Sequence, residues 1–409
     1  MNKVHKKGTE VYPYLFSPIK IGHIVIPNRT FWPPWDFNWA NKDGSVSEKL
    51  HNFYINLAKS GCGIIYTGAA TVSSDSIRFE KTMGIYNKSH VKSNQKLCKE
   101  IIAHDSIPAI QLMNFGRQSV TTFTGKPILA PSNVPCKVTS ICDPNYKIKE
   151  MTLEDIDRVK NDFINGAVLG AEAGYKIIQV HAAHGYLLSN FLSPYTNKRT
   201  DEYGGSIENR CRIVIDIIKG IRQKLGNSVL IDIRLSISDF VEGGLVPEDY
   251  ATIIPLIEAA GIDMLNASGT IFESSLSFFM QKLQPEGRYI YLADIVKKYT
   301  SLPLGQAGYI GTLKKGDEFV KNKQLELVGY GRTQFADNEF IKNSVFNKKN
   351  NDCVWCGKCL LDLLDPQLNF EVHCTVNPNY LRPKNAMFSL KRFYQQGVMA
   401  TKYTLNNLK

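Results

Sequence analysis

No run of about 18 apolar residues occurs in this 409-residue chain, so a membrane-spanning helix is not expected. The opening stretch, MNKVHKKGTEVYPYLF, lacks the apolar core of a secretory signal. No G-x-G-x-x-G run is present, which argues against a doubly wound dinucleotide-binding sheet. Acidic residues are in deficit, 38 Asp and Glu against 49 Lys and Arg, for a formal net charge of +11. That surplus is scattered, apart from pairs such as Lys6-Lys7 and Lys348-Lys349, and no basic stripe interleaves with aromatics. Scattered charge reads as solvated surface with some attraction for anionic ligands; neither nucleic acid nor a membrane is an expected partner.

Cysteine is sparse over most of the chain and dense at one place. Cys62, Cys98, Cys136, Cys142 and Cys211 are dispersed, whereas Cys353, Cys356, Cys359 and Cys374 crowd together near the C-terminal end. With no secretory signal, this pattern predicts a cytoplasmic protein with reduced thiols and one metal site at those four positions. Four thiolates suit structural zinc, and three cysteines so close together can equally wrap one face of a 4Fe–4S cluster.

What is present in quantity is alternation. Eight short β-rich runs, at 24–31, 63–68, 108–113, 176–181, 229–235, 263–267, 303–307 and 325–330, are separated by helix-period segments. Several of the runs are continuously apolar, as parallel strands covered on both faces should be. Ser47 can cap a helix carrying Leu50, Phe53, Tyr54 and Leu57, and Thr152 with Asp155 forms a capping box ahead of Ile156, Val159 and Phe163. Ile213, Ile217, Ile221 and Leu225 make another stripe, Pro247 suits a first helical turn, and 313–322 is a short amphipathic segment. Eight β/α units predict an α/β fold of the (β/α)8 TIM barrel type, with 115–150 as a long loop over its mouth.

Active-site residues of such a barrel stand where strands end. Those positions hold Pro34, Trp35 and Asp36, then Gly68, then Gln111, then His181, His184 and Tyr186, then Arg234, then Gly308 and Tyr309, and last Gly331 and Arg332. Glycines after the last two strands, with an arginine, form a barrel phosphate site, although each glycine singly reads as a tight turn. Arg234 suits the anionic edge of a flavin ring, or a salt bridge within the barrel. Gln111 can read a pyrimidine edge as a bidentate amide, or cap its strand. In HAAHGYLL (181–188) the histidines are three apart with no Glu between them, which disfavours zinc. Two imidazole N–H donors converging on a carbonyl oxygen would stabilise an enolate, and Tyr186 could supply a proton as general acid.

HAAHGYLLSNFLSPYTNKRTDEYGGSIENRCR (181–212) resembles the Old Yellow Enzyme family of FMN-dependent ene-reductases. LFSPIKIGHIVIPNR (15–29), QLMNFGRQ (111–118), RLSISDF (234–240) and VGYGR (328–332) match that family in the same order. The resemblance implies a barrel with FMN, NAD(P)H as hydride donor, and an unsaturated carbonyl or related small molecule as acceptor. It places His181 and His184 on the substrate-anion pair and Tyr186 on the proton donor. Gln111 and Arg234 fall on flavin-ring contacts, and Gly308, Gly331 and Arg332 on phosphate contacts. The cysteine spacing, Cys-x2-Cys-x2-Cys-x14-Cys followed by Val376-Asn377-Pro378, is similar to the 2,4-dienoyl-CoA reductase and trimethylamine dehydrogenase branch. That similarity implies a 4Fe–4S cluster rather than zinc.

The chain departs from the family at three places. Asp36 stands where Thr or Cys is usual, Asn114 replaces a histidine, and the second and third cysteines are one residue closer than in that branch. The nucleotide-binding reductase module that follows the cluster in those relatives is not found before residue 409. The expected layout is an FMN-binding barrel at 1–345 and a C-terminal iron–sulfur extension at 346–409. The expected activity is NAD(P)H-driven reduction of activated C=C bonds by a homo-oligomeric enzyme. The rival is a dehydrogenase or demethylase passing electrons through the cluster to a partner flavoprotein; a zinc-knotted scaffold without catalysis is the third reading.

Overall fold

Apolar strands that need cover on both faces close into a cylinder in the computed structural model, which describes residues 3–279, 286–365 and 368–383. The barrel strands are β1 (Thr30–Trp32), β2 (Ile64–Thr71), β3 (Ile107–Met113), β4 (Ile177–Ala182), β5 (Leu230–Ser236), β6 (Met264–Ser268), β7 (Leu304–Ala307) and β8 (Leu327–Gly329). Each pairs parallel with the next, and β8 returns to β1, so the eight strands form one closed barrel. The fold is the expected (β/α)8 barrel.

The helical signals correspond to helix starts. The Ser47 hydroxyl accepts the Leu50 N–H at 3.2 Å and caps Glu48–Lys59. Thr152 and Asp155 bond reciprocally at the start of Leu153–Glu172. Ile213, Ile217 and Ile221 are fully buried on Ile207–Leu225. Each such side chain contributes about 1.5–3 kcal/mol of burial, which is what holds the helical layer on the barrel. Pro247 opens a short 3-10 turn, Pro247–Asp249, just ahead of the helix Tyr250–Ala259.

The run at 24–31 is not one strand. Ile24–Ile26 pairs antiparallel with Ile19–Ile21, and the barrel strand begins only at Thr30. Pro27 has no N–H to give a ladder. The Asn28 side chain then accepts the Thr30 N–H at 3.0 Å and its hydroxyl at 2.6 Å, turning the chain between the two pieces. Ile21, Ile24 and Ile26 pack with Ile177, Leu230, Met264 and Leu327 and so close the end of the barrel opposite the strand tips.

The 115–150 segment contains more order than a loop reading allows. Ile128–Ala130 and Ile148–Glu150 form a two-stranded parallel sheet, flanked by short helical turns at Gly116–Gln118, Thr121–Thr124 and Thr139–Cys142. Buried Arg117 fastens it, donating to the Pro135 carbonyl at 3.0 Å and pairing with Glu273 at 2.8 Å.

The segment after Val345 is laced to the barrel mouth. Asn38 donates to the Asn369 carbonyl at 2.8 Å, Asn377 donates to the Phe335 carbonyl at 2.7 Å, and Glu371 pairs with Lys81 at 2.8 Å. No helix among the described residues is long and apolar enough to cross a membrane.

Candidate active site

Strands of a parallel barrel all end at one face, so their terminal residues and following loops share one cavity. Here it has a volume of about 320 Å³. Pro34, Trp35, Asp36, Gln111, His181, His184, Tyr186, Arg234, Gly308, Tyr309, Gly331 and Arg332 all line it. Gly68 does not; its neighbour Ala69 does. Gly68 stands one position behind the wall, accepting the Trp35 N–H at 2.8 Å and donating to the Tyr54 hydroxyl at 3.2 Å. Asn114 is likewise spent on a turn, accepting from the Ser76 hydroxyl at 2.8 Å and the Gly116 N–H at 2.9 Å.

His181 ends β4, and His184 turns the chain with a φ of 61°, its N–H donating to the Ser236 hydroxyl at 2.9 Å. The Nε2 of His184 lies 2.7 Å from the Ser268 hydroxyl, and its Nδ1 lies 3.3 Å from Nε2 of His181. Nδ1 of His181 is buried with no partner among the described residues. Burial, reinforced by the charge of Arg234, pushes both imidazoles well below their usual pKa, so each is neutral and carries one N–H. The rings are therefore together as expected, but their facing nitrogens bond to each other, one donating and one accepting. A ligand oxygen that takes an N–H from both must replace that contact.

Tyr186 precedes the helix Leu187–Leu192 and packs edge-on to Phe115, with ring centroids 5.5 Å apart, and beside His181 at 5.1 Å. Burial pushes its phenol up to about 12, opposed by the nearby charge of Arg78, so it stays protonated at neutral pH. Asp36 accepts the Asn38 N–H and the Thr82 hydroxyl, each at 3.0 Å, and burial raises its carboxyl to about 6. Arg234 stands on β5 and lines the cavity, and burial lowers it to about 10 against the pull of Asp232.

At the other end of the cavity the chain must come close. Gly308 has a φ of 151°, and a Cβ there would stand 2.9 Å from the Tyr289 ring. Arg332 Nη1 is buried without a partner among the described residues. Its guanidinium lies 4.3 Å from the centre of the Tyr309 ring and 4.6 Å from that of Trp355. An orphaned buried N–H of a cation beside two glycine turns fits a phosphate, and the polar floor of Gln111 and Arg234 fits the edge of a flat heterocycle. The residues present thus fit FMN.

Several lining residues carried no usable signal. Arg78 and Phe79 lie in a loop, and Phe272 opens the helix Phe272–Phe279, all without a motif. Ser268 could have been found, because it ends β6, the one strand to whose tip no role was given. Trp355 sat in view inside CVWCGKC, where only the thiols were read.

The four clustered cysteines are near neighbours: the thiols of Cys353, Cys356 and Cys374 each bear electrostatically on Cys359. Burial pushes the Cys353 thiol up to about 11. The Val376 N–H donates to the Cys374 sulfur at 3.5 Å, and Cys356 contacts the Thr375 hydroxyl at 3.4 Å. Among the described residues, however, no three His, Cys, Asp or Glu side chains converge as a metal site. The donor set fits a metal or cluster; its arrangement does not.

A family model described as NADH:flavin oxidoreductase / NADH oxidase matches residues 14–351. The chain is 31% identical over 371 residues to an NADH oxidase from Thermoanaerobacter brockii, covering 90% of this chain and 56% of that one. It is 29% identical over 406 residues to a cinnamate reductase from Clostridium sporogenes, covering 94% of this chain and 60% of that one. A solved 2-naphthoyl-CoA reductase in complex with 2-naphthoyl-CoA superposes with a TM-score of 0.83 at 27% identity, covering 90% of this chain and 57% of that one. The chain thus spans less than two thirds of the length of each of these three relatives.

Proposed function

The chain belongs to the NADH:flavin oxidoreductase / NADH oxidase family, and on that premise we propose an FMN-dependent enzyme that uses NAD(P)H to reduce the activated C=C bond of an α,β-unsaturated carbonyl compound. The observation that carries this reading is the cavity wall itself: two neutral imidazoles, a protonated phenol and the buried Arg234 on one lining. Gly308, Gly331 and Arg332 would hold the FMN phosphate, with Gln111 and Arg234 on the ring edge and Pro34, Trp35 and Asp36 along its side. Bound there, FMN supplies the hydride that adds to the β-carbon.

His181 and His184 hold the substrate's carbonyl oxygen and the negative charge that develops on it. Tyr186 releases its hydroxyl proton to the α-carbon, so hydride and proton together saturate the bond. Arg78, Phe79 and Phe272 complete the cavity lining. The test is a visible spectrum with flavin extraction. About one FMN per chain, bleached anaerobically by NADH or NADPH, supports the reading; an apoprotein that takes up no FMN overturns it.

We also propose that Cys353, Cys356, Cys359 and Cys374 hold a 4Fe–4S cluster, with residues 346–409 as an appendage to the barrel at 1–345. Spacing and thiol chemistry support this, and the arrangement of the described side chains does not. Iron and acid-labile sulfide at about four each per chain would bear it out. Stoichiometric zinc would replace it with a structural knot.

A further inference from the structure

Barrel interiors are normally filled by apolar side chains. One level below the mouth, this barrel carries polar ones instead. Register sets Gln111 of β3 opposite Gln179 of β4, and Gln179 opposite Asp232 of β5. His181 and Arg234 stand opposite each other two residues further along, at the mouth. Oδ2 of Asp232 accepts the Tyr66 hydroxyl at 2.6 Å, the Asn266 amide at 2.8 Å and the Gln179 amide. The Gln179 carbonyl in turn accepts from the Gln111 amide at 2.6 Å. Asp232 is fully buried, and its Oδ1 has no partner among the described residues.

This arrangement leaves one choice of polarity. An ionised carboxylate only accepts. If it is protonated, the hydrogen goes to the unpartnered Oδ1, and Oδ2 still accepts from its three donors. In both states Gln179 must turn its NH2 to Asp232 and its carbonyl to Gln111. Gln111 must then spend one N–H on Gln179, keeping its carbonyl oxygen and its other N–H for the cavity that it lines. One acceptor beside one donor complements a lactam edge, a C=O next to an N–H. A flipped Gln111 would offer two N–H groups and no acceptor.

We propose that Asp232 is a positioning residue: acting through Gln179, it fixes the amide polarity of Gln111 and makes the cavity floor selective for a ring bearing a lactam N–H. The inference rests on the FMN reading above, in which that N–H is N3–H of the flavin.

The experiment titrates apoprotein with FMN and with FMN methylated at N3, following flavin fluorescence, with circular dichroism as the fold control. Unaltered protein is expected to prefer FMN by about tenfold, the worth of one good buried hydrogen bond. Asp232→Asn keeps a carbonyl acceptor for Gln179 and should retain that preference. Gln179→Leu cuts the relay while leaving Asp232 two donors, and should bring the preference to within about twofold of none. Asp232→Leu should do the same where it folds, and Gln179→Leu decides where it does not. A folded Gln179→Leu protein that keeps the full preference overturns the proposal, as does an unaltered protein that binds both flavins equally. Unaltered apoprotein that binds neither flavin overturns the FMN reading and this proposal with it, an outcome distinct from binding without discrimination.

Discussion

Replacing Tyr186 with Phe isolates the proton-transfer step, because the hydroxyl is all that changes. The ring keeps its edge contact with Phe115 at 5.5 Å and its place beside His181 at 5.1 Å. Among the described residues the electrostatics of the hydroxyl come from burial and neighbouring charges with no hydrogen bond, so its removal strands no partner there. Stability should therefore change by less than about 0.5 kcal/mol. The phenol is held protonated up to about 12, so it can act as an acid throughout the neutral range. Losing a positioned general acid costs roughly 10²- to 10⁴-fold in rate, or about 3–5 kcal/mol of transition-state stabilisation. Anaerobic stopped-flow separates the two half-reactions. Flavin reduction by NAD(P)H, which needs no proton from Tyr186, should be unchanged, while reoxidation by an enone should slow by that factor. An enone half-reaction of ordinary speed in a folded, flavin-loaded Tyr186→Phe protein would refute the assignment.

Three further perturbations follow from the geometry. Burial raises the Asp36 carboxyl from 3.8 to about 6, so the folded state holds its proton more tightly than the unfolded chain and loses stability as pH rises through that window. Against Asp36→Asn, wild-type stability should fall by on the order of 2 kcal/mol between about pH 3 and about pH 8, after discounting for partial exposure; parallel denaturation profiles would contradict this. Arg332→Ala removes a guanidinium whose buried Nη1 has no hydrogen-bond partner among the described residues, and should weaken FMN binding by about 10- to 100-fold in a fluorescence titration. An unchanged Kd would place the phosphate elsewhere. Gly329→Ala would set a Cβ 2.5 Å from the Phe31 ring and 2.6 Å from the Ala307 Cβ. Overpacking of that kind should lower Tm by roughly 2–6 °C in calorimetry, and an unaltered Tm would show that Phe31 gives way freely.

The barrel was legible because composition and burial agree: runs such as KIIQVH and VLIDIRL are rich in Ile, Val and Leu, are covered on both faces, and became β4 and β5. The first strand was misread for the opposite reason. Pro27 and the Asn28 turn interrupt a run whose composition looks continuous, and only the pairing partners distinguish the two pieces. Strand-end logic found most of the cavity lining, since β ends converge whatever their residues. It missed Arg78, which reaches the cavity from a loop, and Phe272, which reaches it from the start of a helix. Gln179 and Asp232 stand inside strand runs, where no motif marks them. A buried carboxylate inside a strand is visible in sequence only as a break in the apolar pattern, and its three donors come from other strands. The histidine pair was located correctly, but its mutual 3.3 Å contact depends on ring orientation, which spacing does not encode.

The central claim is that this cavity transfers a hydride and a proton across a C=C bond. Its most direct measurement is anaerobic turnover of FMN-loaded protein with NAD(P)H and a simple α,β-unsaturated ketone in deuterated water, with the product read by mass spectrometry and NMR. The account predicts the saturated ketone in step with NAD(P)H consumed, carrying deuterium at the α-carbon from the exchangeable Tyr186 hydroxyl and none at the β-carbon. Oxidation of NAD(P)H only when oxygen is admitted, with the enone recovered unchanged, would contradict it.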